Sequence, residues 1–266
     1  MSATQPVALL TDFGVQDGYV GMMKGVILTI APGASIVDLS HDVAMGDVRA
    51  AAYILLVSYR FFPGGTVFCC VVDPEVGTRR HALAAELECG GRSCRVVCPD
   101  NGLLTPLLHR VTDVVRLADA RYHLDKVSAT FHGRDIFAPA AAHLARGERI
   151  AALGPALNRE TLRTLPWPRP LRCDSGWRGE VIHVDRFGNL ITNIGHEELT
   201  RPLNTYRVGC GGAEVHGIHR TFADVPDKEL VAYLGSSDLL ELAVRGGSAA
   251  KSLQAGVGHG VSVRWS

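Results

Sequence analysis

The sequence predicts two domains: an N-terminal α/β domain with a mainly parallel sheet flanked by helices, and a small antiparallel β-barrel domain. Up to about residue 160, short apolar runs alternate with segments of helical hydrophobic spacing, as in parallel sheets with right-handed crossovers. A proline-rich segment follows, and after it only short β-like runs occur, separated by glycine-rich turns. We therefore expect an α/β domain over residues 1–165, a linker over residues 166–176 and a barrel over residues 177–266.

The first elements alternate between strand and helix. Residues 7–10 form an apolar run that ends at a Thr-Asp pair, and residues 17–30 carry apolar side chains at helical spacing. Residues 34–39 predict a second strand. Asp47 is a candidate N-cap for the next helix, whose apolar positions continue to Phe62.

The same alternation continues to the end of the first domain. Residues 66–72 are apolar without polar alternation, as expected for a strand covered on both faces. Residues 95–98 predict another strand, and residues 101–110 predict a helix. A last helix is expected over residues 135–146, where Pro139 is tolerated because it lies near the first turn.

The predicted second domain contains six short β-like runs. They cover residues 179–184, 190–194, 206–208, 229–234, 239–244 and 261–265. Short strands joined by glycine-rich turns are typical of a small antiparallel barrel or sandwich.

Composition excludes several classes of function. Lys plus Arg and Asp plus Glu both number 27, so the formal net charge is zero, and no basic surface for nucleic acid or an anionic membrane is indicated. Zero net charge also favours self-association weakly. No run approaches the roughly 18–20 apolar residues that a membrane span needs. The N-terminal segment lacks a basic region before its first strand, so we expect no signal peptide and a cytoplasmic protein.

The seven cysteines do not form a recognisable framework. An odd number without regular spacing argues against a disulfide scaffold. Cys89, Cys94 and Cys98 suggest a zinc site only weakly, because the cluster lacks a CxxC pair and a second half. Cys69, Cys70 and Cys98 are expected to be small buried side chains in strands. The sequence contains no metal motif and no glycine-rich phosphate loop.

A carboxylate, a guanidinium and an imidazole lie on turns beside predicted strands. Asp73 and Arg80 belong to VVDPEVGTRR, and His132 belongs to TFHGRD. Each residue alone also fits a structural role, since DPxxG turns and loop histidines are common. Arg134 and Asp135 are interpreted as a surface pair at a helix start. The combination predicts a bound small molecule and an activated water.

Two further segments offer groups for a nucleoside. Asp12 ends the first strand, where a carboxylate typically binds ribose hydroxyls, although a turn Asp is an equal alternative. Asp17 is interpreted as a cap for the following helix. In FGNLITNI, Phe187 offers a ring for stacking, and Asn189 offers a donor and an acceptor, which suits adenine. The same Gly-Asn pair predicts a hairpin turn, and the two interpretations are compatible.

Taken together, these segments resemble the family of S-adenosyl-L-methionine hydroxide adenosyltransferases, relatives of the bacterial fluorinase and chlorinase. The segments that carry the resemblance are LLTDFG, FFPGGTVFCCVVDPEVGTRR, CPDNGLLTPLL, FHGRD, VDRFGNLITNI and ELAVRGGSAAKSL. They occur in order along nearly the whole chain. The resemblance implies S-adenosylmethionine as substrate, no cofactor and no metal. It also implies a homotrimer, with each substrate between the N-terminal domain of one subunit and the C-terminal domain of its neighbour.

The resemblance implies roles for single residues as well. Asp73, Arg80 and His132 match the family's catalytic Asp-Arg-His set, spacing included. The residues that the resemblance implies for substrate binding are Asp12 (ribose hydroxyls), Asp17 (methionine end), Asn189 and Phe222 (adenine), Asp185 (methionine amine), and Phe131, Phe187, Ser236, Arg245 and Gly246.

Two departures from the halogenating relatives predict water as the nucleophile. Fluorinase and chlorinase resemble one another in carrying Tyr where this chain has Asp73 and His132, and a carboxylate at Asp73 repels a halide. The fluorinase also has a long insertion after its counterpart of the VVDP strand. Here only about fifteen residues separate Arg80 from the strand at Arg95.

The expected reaction is hydrolysis of S-adenosylmethionine to adenosine and L-methionine by in-line attack of an activated water on ribose C5′. The sulfonium departs as a neutral thioether, so no general acid is needed. We expect His132 and Arg80 to hold the water, Arg80 to stabilise developing hydroxide, and Asp73 to orient Arg80 or His132 and fix the tautomer. The alternatives are a non-catalytic sensor of S-adenosylmethionine or adenosine, and a halogenase of the same fold.

Overall fold

The chain folds into two compact units. The computed structural model describes residues 4–265, and the division between the units lies between Pro166 and Trp167. Each unit has a sheet and a hydrophobic core of its own.

The N-terminal unit contains a six-stranded mixed sheet. Its strands are β1 (Val7–Thr11), β2 (Ile36–Ser40), β3 (Val67–Val71), β4 (Ala82–Cys89), β5 (Arg92–Pro99) and β6 (Val111–Arg116). Their order is β2-β1-β3-β5-β4-β6. The β1–β2, β1–β3 and β3–β5 pairs are parallel, and β4 pairs antiparallel with β5 and β6. The prediction of a mainly parallel sheet is therefore confirmed.

Helices cover both faces of this sheet. They are α1 (Tyr19–Ile30), α2 (Val48–Ser58) and α3 (Ala138–Ala145). Successive side chains of a strand point to opposite faces. Leu9 of β1 accordingly packs in the core cluster that contains α1 and α3, whereas Leu10 packs in the cluster that contains α2. Strands β1 and β3 end at Thr11 and Val71, and the turns that follow them carry residues of the candidate site.

The two predicted helix caps have different outcomes. Asp47 is the N-cap of α2, because its carboxylate Oδ1 accepts a hydrogen bond of 2.9 Å from the Ala50 backbone N–H. The cap predicted at Asp17 is wrong. Helix α1 begins at Tyr19 and its N-cap is Gly18, which offers no side-chain bond.

Some predicted elements of this unit differ from the observed ones. The helix predicted over residues 101–110 is only a 3₁₀ segment, Thr105–Arg110. Gly102 has a φ of +94°, so the backbone leaves the helical region there. Strands β4 and β6 are not predicted by the hydrophobic pattern. The burial predicted for Cys69, Cys70 and Cys98 is confirmed. Burial raises the pKa of the Cys69 thiol to about 12, so it is protonated at neutral pH.

The C-terminal unit is an antiparallel, nearly closed barrel, as predicted. Its strands are β7 (Leu171–Cys173), β8 (Gly176–Val184), β9 (Leu190–Gly195), β10 (Tyr206–Cys210), β11 (Ala213–His216), β12 (Leu230–Leu234), β13 (Leu239–Val244) and β14 (Gly260–Trp265), and its short helix is α4 (Ala249–Ser252). The strand order is β11-β10-β14-β8-β9-β13-β12, and a single β-bridge between His219 and Tyr233 joins the two ends.

Two strands of the barrel are absent from the sequence-based expectation. Strand β7 lies inside the segment predicted as a linker and pairs with β8, and β11 pairs with β10. No helix in residues 4–265 is long and apolar enough to cross a membrane.

Candidate active site

A cavity of about 400 Å³ opens where β1 and β3 end in the N-terminal unit. This edge of a parallel sheet is the usual ligand position in α/β folds. The residues that line the cavity are Phe13, Tyr19, Met22, Val71, Asp73, Val76, Ser128, Thr130, Phe131, His132, Gly133 and Arg134.

Three aromatic rings form one wall of the cavity. Phe131 contacts Phe13 and Tyr19 edge to face, at centroid distances of 5.8 and 5.3 Å. The Arg134 guanidinium lies 5.0 Å from the Phe131 ring centroid. Of these rings, only Phe131 was expected in the site. The position of Phe13 directly after Asp12, in the LLTDFG segment, could have identified Phe13 as well. Aromatic faces attract cations, and the Arg134 guanidinium at this wall is one such cation.

Asp73 and Arg80 form a buried ion pair. Arg80 Nε donates to Oδ1 and Oδ2 of Asp73 at 3.1 and 3.0 Å, and Arg80 Nη2 donates to Oδ2. The two side chains are only 4% and 2% exposed. A guanidinium that binds a carboxylate through two nitrogens fixes its orientation. Of the two partners expected for Asp73, Arg80 is the one that it binds, and the role of this pair in catalysis stays a prediction.

Arg80 also contacts His132. Arg80 Nη2 lies 2.9 Å from His132 Nδ1, and a guanidinium can only donate, so Nδ1 accepts and Nε2 carries the proton of the neutral ring. Burial lowers the pKa of His132, and the neighbouring positive charge of Arg80 lowers it further. The tautomer is thus fixed by Arg80, with Asp73 acting through Arg80.

Arg80 itself stays behind the cavity wall. Its side chain is buried, its guanidinium packs 5.3 Å from the Phe137 ring centroid, and it is not among the residues that line the cavity. The expectation that Arg80 holds the water directly is therefore revised. Asp73 and His132 face the cavity, and Arg80 joins them from behind.

A close backbone contact brings the two turns together. Gly77 has a φ of +80°, and a Cβ on it would come within 2.6 Å of the Ala129 carbonyl oxygen. Only glycine fits such a position without displacement. The turn that carries Asp73 and Arg80 therefore packs against the segment that leads to His132.

A buried carboxylate holds the second turn. Asp135 is 0% exposed; its Oδ2 accepts from the Ser128 backbone N–H at 2.8 Å, and Arg134 donates to it. The surface pair expected for Arg134 and Asp135 is thus wrong for Asp135, which anchors the loop before His132. A π-helical turn, Gly133–Phe137, begins directly after His132. Such turns occur often at functional sites.

Asp12 and Asp17 lie on the segment between β1 and α1. Asp12 Oδ2 accepts from the Gly46 backbone N–H at 2.8 Å, and Asp17 is exposed. Neither is among the residues that line the cavity. Their predicted contacts with ribose and with the methionine end remain predictions.

Sequence reasoning did not identify the network beneath this segment. Thr11 Oγ1 lies 2.8 Å from Nδ1 of buried His41, and the His41 carbonyl accepts from the Gly14 N–H at 2.8 Å. His41 Nε2 lies 3.0 Å from an Asp38 oxygen. The network ties β1 to the segment after β2. The Ser-His-Asp triplet at residues 40–42, after the second predicted strand, was the sequence feature that could have indicated this network.

In the C-terminal unit, Asp185, Phe187 and Asn189 share the turn between β8 and β9. Asp185 Oδ1 accepts from the backbone N–H groups of Phe187 and Asn189, at 2.9 and 2.8 Å. The Phe187 ring is 76% exposed. Phe222, 56% exposed, begins a short 3₁₀ segment and lies edge to face with Tyr233 at 6.4 Å. Both rings are thus available for stacking.

The last three predicted residues lie on turns of the same unit. Arg245 Nη1 donates to the Val225 carbonyl at 2.6 Å, Gly246 has a φ of +64°, and Ser236 follows β12. Their substrate contacts remain predictions. Sequence reasoning also missed the contact between Tyr233 and Glu241, in which the Tyr233 hydroxyl donates to the carboxylate at 2.8 Å. Burial raises the pKa of the Glu241 carboxyl.

Comparison with known proteins identifies the family. Residues 7–154 match the model of the SAM hydroxide adenosyltransferase N-terminal domain, and residues 179–262 match that of the C-terminal domain. The chain is 44% identical to the (R)-S-adenosyl-L-methionine hydrolase of Thermus thermophilus, over 98% of this chain and 99% of the relative. It is 30% identical to a fluorinase of Actinoplanes sp. over 73% of each chain.

A solved structure shows the same architecture. An uncharacterized conserved protein from Thermotoga maritima superposes with a TM-score of 0.89 at 35% identity, covering 97% of this chain and 99% of the other. Both domain models match in order, and the Asp-Arg-His unit lies in the first of them. The chain belongs to the SAM hydroxide adenosyltransferase family.

Proposed function

We propose that the chain hydrolyses S-adenosylmethionine to adenosine and L-methionine, with water attacking ribose C5′ in line with the departing sulfur. The observation that carries this proposal is a carboxylate, Asp73, at the cavity wall, held by a buried guanidinium and beside a neutral imidazole. Similarity to S-adenosylmethionine hydrolases along the whole chain supports the same reaction.

Asp73 and His132 orient the water. A carboxylate has about four acceptor sites, and the bonds from Arg80 leave acceptor capacity on Oδ1. The water donates to this oxygen and accepts from the Nε2–H of His132. As the C5′–O bond forms, the water proton passes to Asp73 and on to solvent. The His132 N–H stabilises the negative charge that develops on oxygen.

The leaving group needs no acid. The C5′–S bond breaks, its electron pair returns to sulfur, and the positive sulfonium becomes a neutral thioether. The rings of Phe13 and Tyr19 offer faces that attract the sulfonium cation in the bound substrate, whereas the Phe131 ring already contacts the Arg134 guanidinium.

The relative's name also indicates which stereoisomer is consumed. The sulfonium sulfur carries three different substituents and a lone pair, so it is a stereocentre. We assign the R epimer as the preferred substrate, by similarity to the (R)-S-adenosyl-L-methionine hydrolase.

A homotrimer with the cavity at a subunit interface is part of the same proposal. Tyr19 and Met22, which line the cavity, are 46% and 41% exposed, and Val15, four residues before Tyr19 in the chain, is 73% exposed. Apolar side chains gathered in this way often mark an interface. Light scattering during gel filtration is expected to give three times the chain mass of 28.5 kDa; a monomer mass would contradict the trimer.

The function is tested by incubating the purified chain with each sulfonium epimer, with and without chloride, and identifying products by liquid chromatography and mass spectrometry. Adenosine and methionine in equal amounts, faster from the R epimer, are expected. Methylthioadenosine alone would indicate spontaneous decay. A chloride-dependent 5′-chloro product would indicate a halogenase, and intact bound substrate would indicate a sensor.

A further inference from the structure

We infer that Asn101 positions the Asp73 carboxylate by extending the contact between β3 and β5 past Pro99, where backbone pairing of the two strands stops. The inference deepens the proposed function and rests on it for the effect on turnover, because Asp73 takes the water proton there. Asn101 does not line the cavity and acts through the backbone beside Asp73, so it is a positioning residue.

Backbone pairing between β3 and β5 stops before it reaches the candidate site. The Arg95 N–H donates to the Thr66 carbonyl at 3.0 Å. Alternate residues of a strand donate to the same neighbour, so the next donors toward β3 are Val97 and Pro99. Proline has no N–H to donate. The pairing accordingly ends at Cys69, opposite Val97.

The side chain of Asn101 makes the next contact between the two strands. Its Nδ2 donates to the Val72 carbonyl at 2.8 Å. Val72 is 0% exposed, and a buried backbone carbonyl needs a hydrogen-bond donor. Val72 directly precedes Asp73 in the chain. The amide therefore holds the backbone from which the carboxylate projects.

The amide of Asn101 has a fixed orientation. Its Oδ1 accepts from the Leu103 backbone N–H at 3.3 Å, so Nδ2 is the atom that faces β3. The backbone that follows has little room to move, because Gly102 has a φ of +94° and a Cβ on it would come within 2.6 Å of Leu165 Cγ. The donor to the Val72 carbonyl thus starts from a defined position.

The same segment holds the other end of the turn. The Asp100 N–H donates to the carbonyl of His81, the residue after Arg80, at 2.9 Å. Asp100 Oδ1 accepts from the Arg163 backbone N–H at 2.9 Å, and the Arg163 guanidinium pairs with Glu75 within the turn. Residues 100 and 101 therefore fix both ends of the turn that carries the ion pair, and only one of these two contacts depends on a side chain.

Removing that side chain tests the inference. Asn101→Ala takes the donor from the Val72 carbonyl but leaves the backbone bond between Asp100 and His81, so the turn is released at the Asp73 end alone. We expect kcat to fall roughly 10- to 100-fold, because small displacements of a catalytic group are costly. KM is expected to change little, since the lost interaction acts in the transition state.

Two more variants complete the kinetic test. Asn158→Ala is the matched control, because Asn158 Oδ1 also accepts from the backbone N–H two residues on, that of Glu160, at 3.0 Å. It is expected to keep the wild-type kcat. Asn101→Asp keeps the acceptor for Leu103 but places an oxygen against the Val72 carbonyl. It is expected to lose kcat as Asn101→Ala does, and it decides the question if Asn101→Ala does not fold.

Nuclear magnetic resonance of the arginine Nε–H groups reports the geometry without substrate. Arg80 Nε donates to both oxygens of Asp73, so its signal is expected downfield of the exposed arginines in wild type and absent in Arg80→Lys. In Asn101→Ala the signal is expected to move toward that of the exposed arginines, and in Asn158→Ala to stay in place. Loss of global stability alone does not move the signal of the folded chain.

The outcomes separate this inference from the proposed function. Hydrolysis at the wild-type kcat in Asn101→Ala overturns the inference alone. So does an equal fall in kcat in Asn158→Ala, or a fall in kcat while the Arg80 signal stays in place. A wild type that leaves S-adenosylmethionine intact, with an Arg80 signal that moves in Asn101→Ala, overturns the proposed function and supports the positioning of Asp73. Intact substrate and an unmoved signal overturn both.

Discussion

Arg80 contacts both of the titratable residues that face the cavity, Asp73 and His132. Its Nε and Nη2 bind Asp73, and Nη2 also donates to His132 Nδ1. One buried side chain therefore fixes the orientation of the carboxylate and the tautomer of the imidazole. The residue types were predictable from the motifs, but the order of contacts was not, because it depends on how two distant turns pack.

The pH dependence of hydrolysis is expected to reflect the protonation of His132. Its pKa lies below the ordinary 6.5, so the neutral ring is the dominant form throughout the neutral range. We expect kcat/KM to be constant above pH 6.5 and to fall at more acid pH, with a midpoint below 6.5. The same shift means that the contribution of His132 to stability is lost as pH falls from 6.5 through the folded-state pKa. A midpoint above 6.5 would contradict a neutral His132, and His132→Gln is expected to abolish that midpoint.

The substitution Asp73→Asn tests the carboxylate. Asn preserves the shape but cannot take the water proton, so kcat is expected to fall roughly 10²- to 10⁴-fold, with little change in KM. Unfolding by urea is expected to become easier, because Arg80 would stay buried without its counter-ion.

Glu75→Gln is the matched control in the same turn. Glu75 pairs with Arg163 at the surface, where their side chains are 44% and 52% exposed. Exposed pairs contribute little to stability. We expect wild-type kcat; equal losses in Asp73→Asn and Glu75→Gln would show that the effect belongs to the turn and not to the carboxylate.

The turns, more than the strands, position the site. Strand β3 supplies the end from which Asp73 projects, but Gly77 and Asp135 determine where Arg80 and His132 meet. Strands were predictable where the pattern was local, as at β3, β9 and β13. Strands β4 and β6 were missed because β4 is defined by its pairing with β5 and β6, which no local pattern encodes.

Substitution of two glycines with a left-handed backbone can distinguish the effect of backbone strain from the effect of turn packing. Gly77 and Gly90 have φ values of +80° and +55°, but only at Gly77 would a Cβ meet another atom, the Ala129 oxygen. Both Ala variants are expected to lose about 1–2 kcal/mol of stability from the left-handed backbone. Gly77→Ala alone is expected to lower kcat/KM, by up to roughly 10²-fold, because it displaces Arg80 from His132. Equal kcat/KM values for both variants would contradict this packing role.

For the whole molecule, the order of motifs along the chain predicted the fold and the family better than any individual residue did. The α/β unit, the barrel and the family follow from segments spread along the chain, and all three are confirmed. The aromatic wall and the buried Asp135 anchor were not predicted. Phe13 and Tyr19 look like ordinary core or surface residues until tertiary packing places them at one cavity, and Asp135 looks like a surface residue until its hydrogen bond to Ser128 buries it beside that cavity.

Attack of water on ribose C5′, with Asp73 as proton acceptor, can be distinguished by experiment from attack of the Asp73 carboxylate itself on C5′. A single-turnover reaction in oxygen-18 water, with the chain in excess over S-adenosylmethionine, makes the distinction. We expect adenosine with one oxygen-18 at the 5′ position in the first turnover. Unlabelled adenosine, with oxygen-18 entering Asp73 in the peptide mass spectrum, would show a covalent ester and contradict direct attack by water.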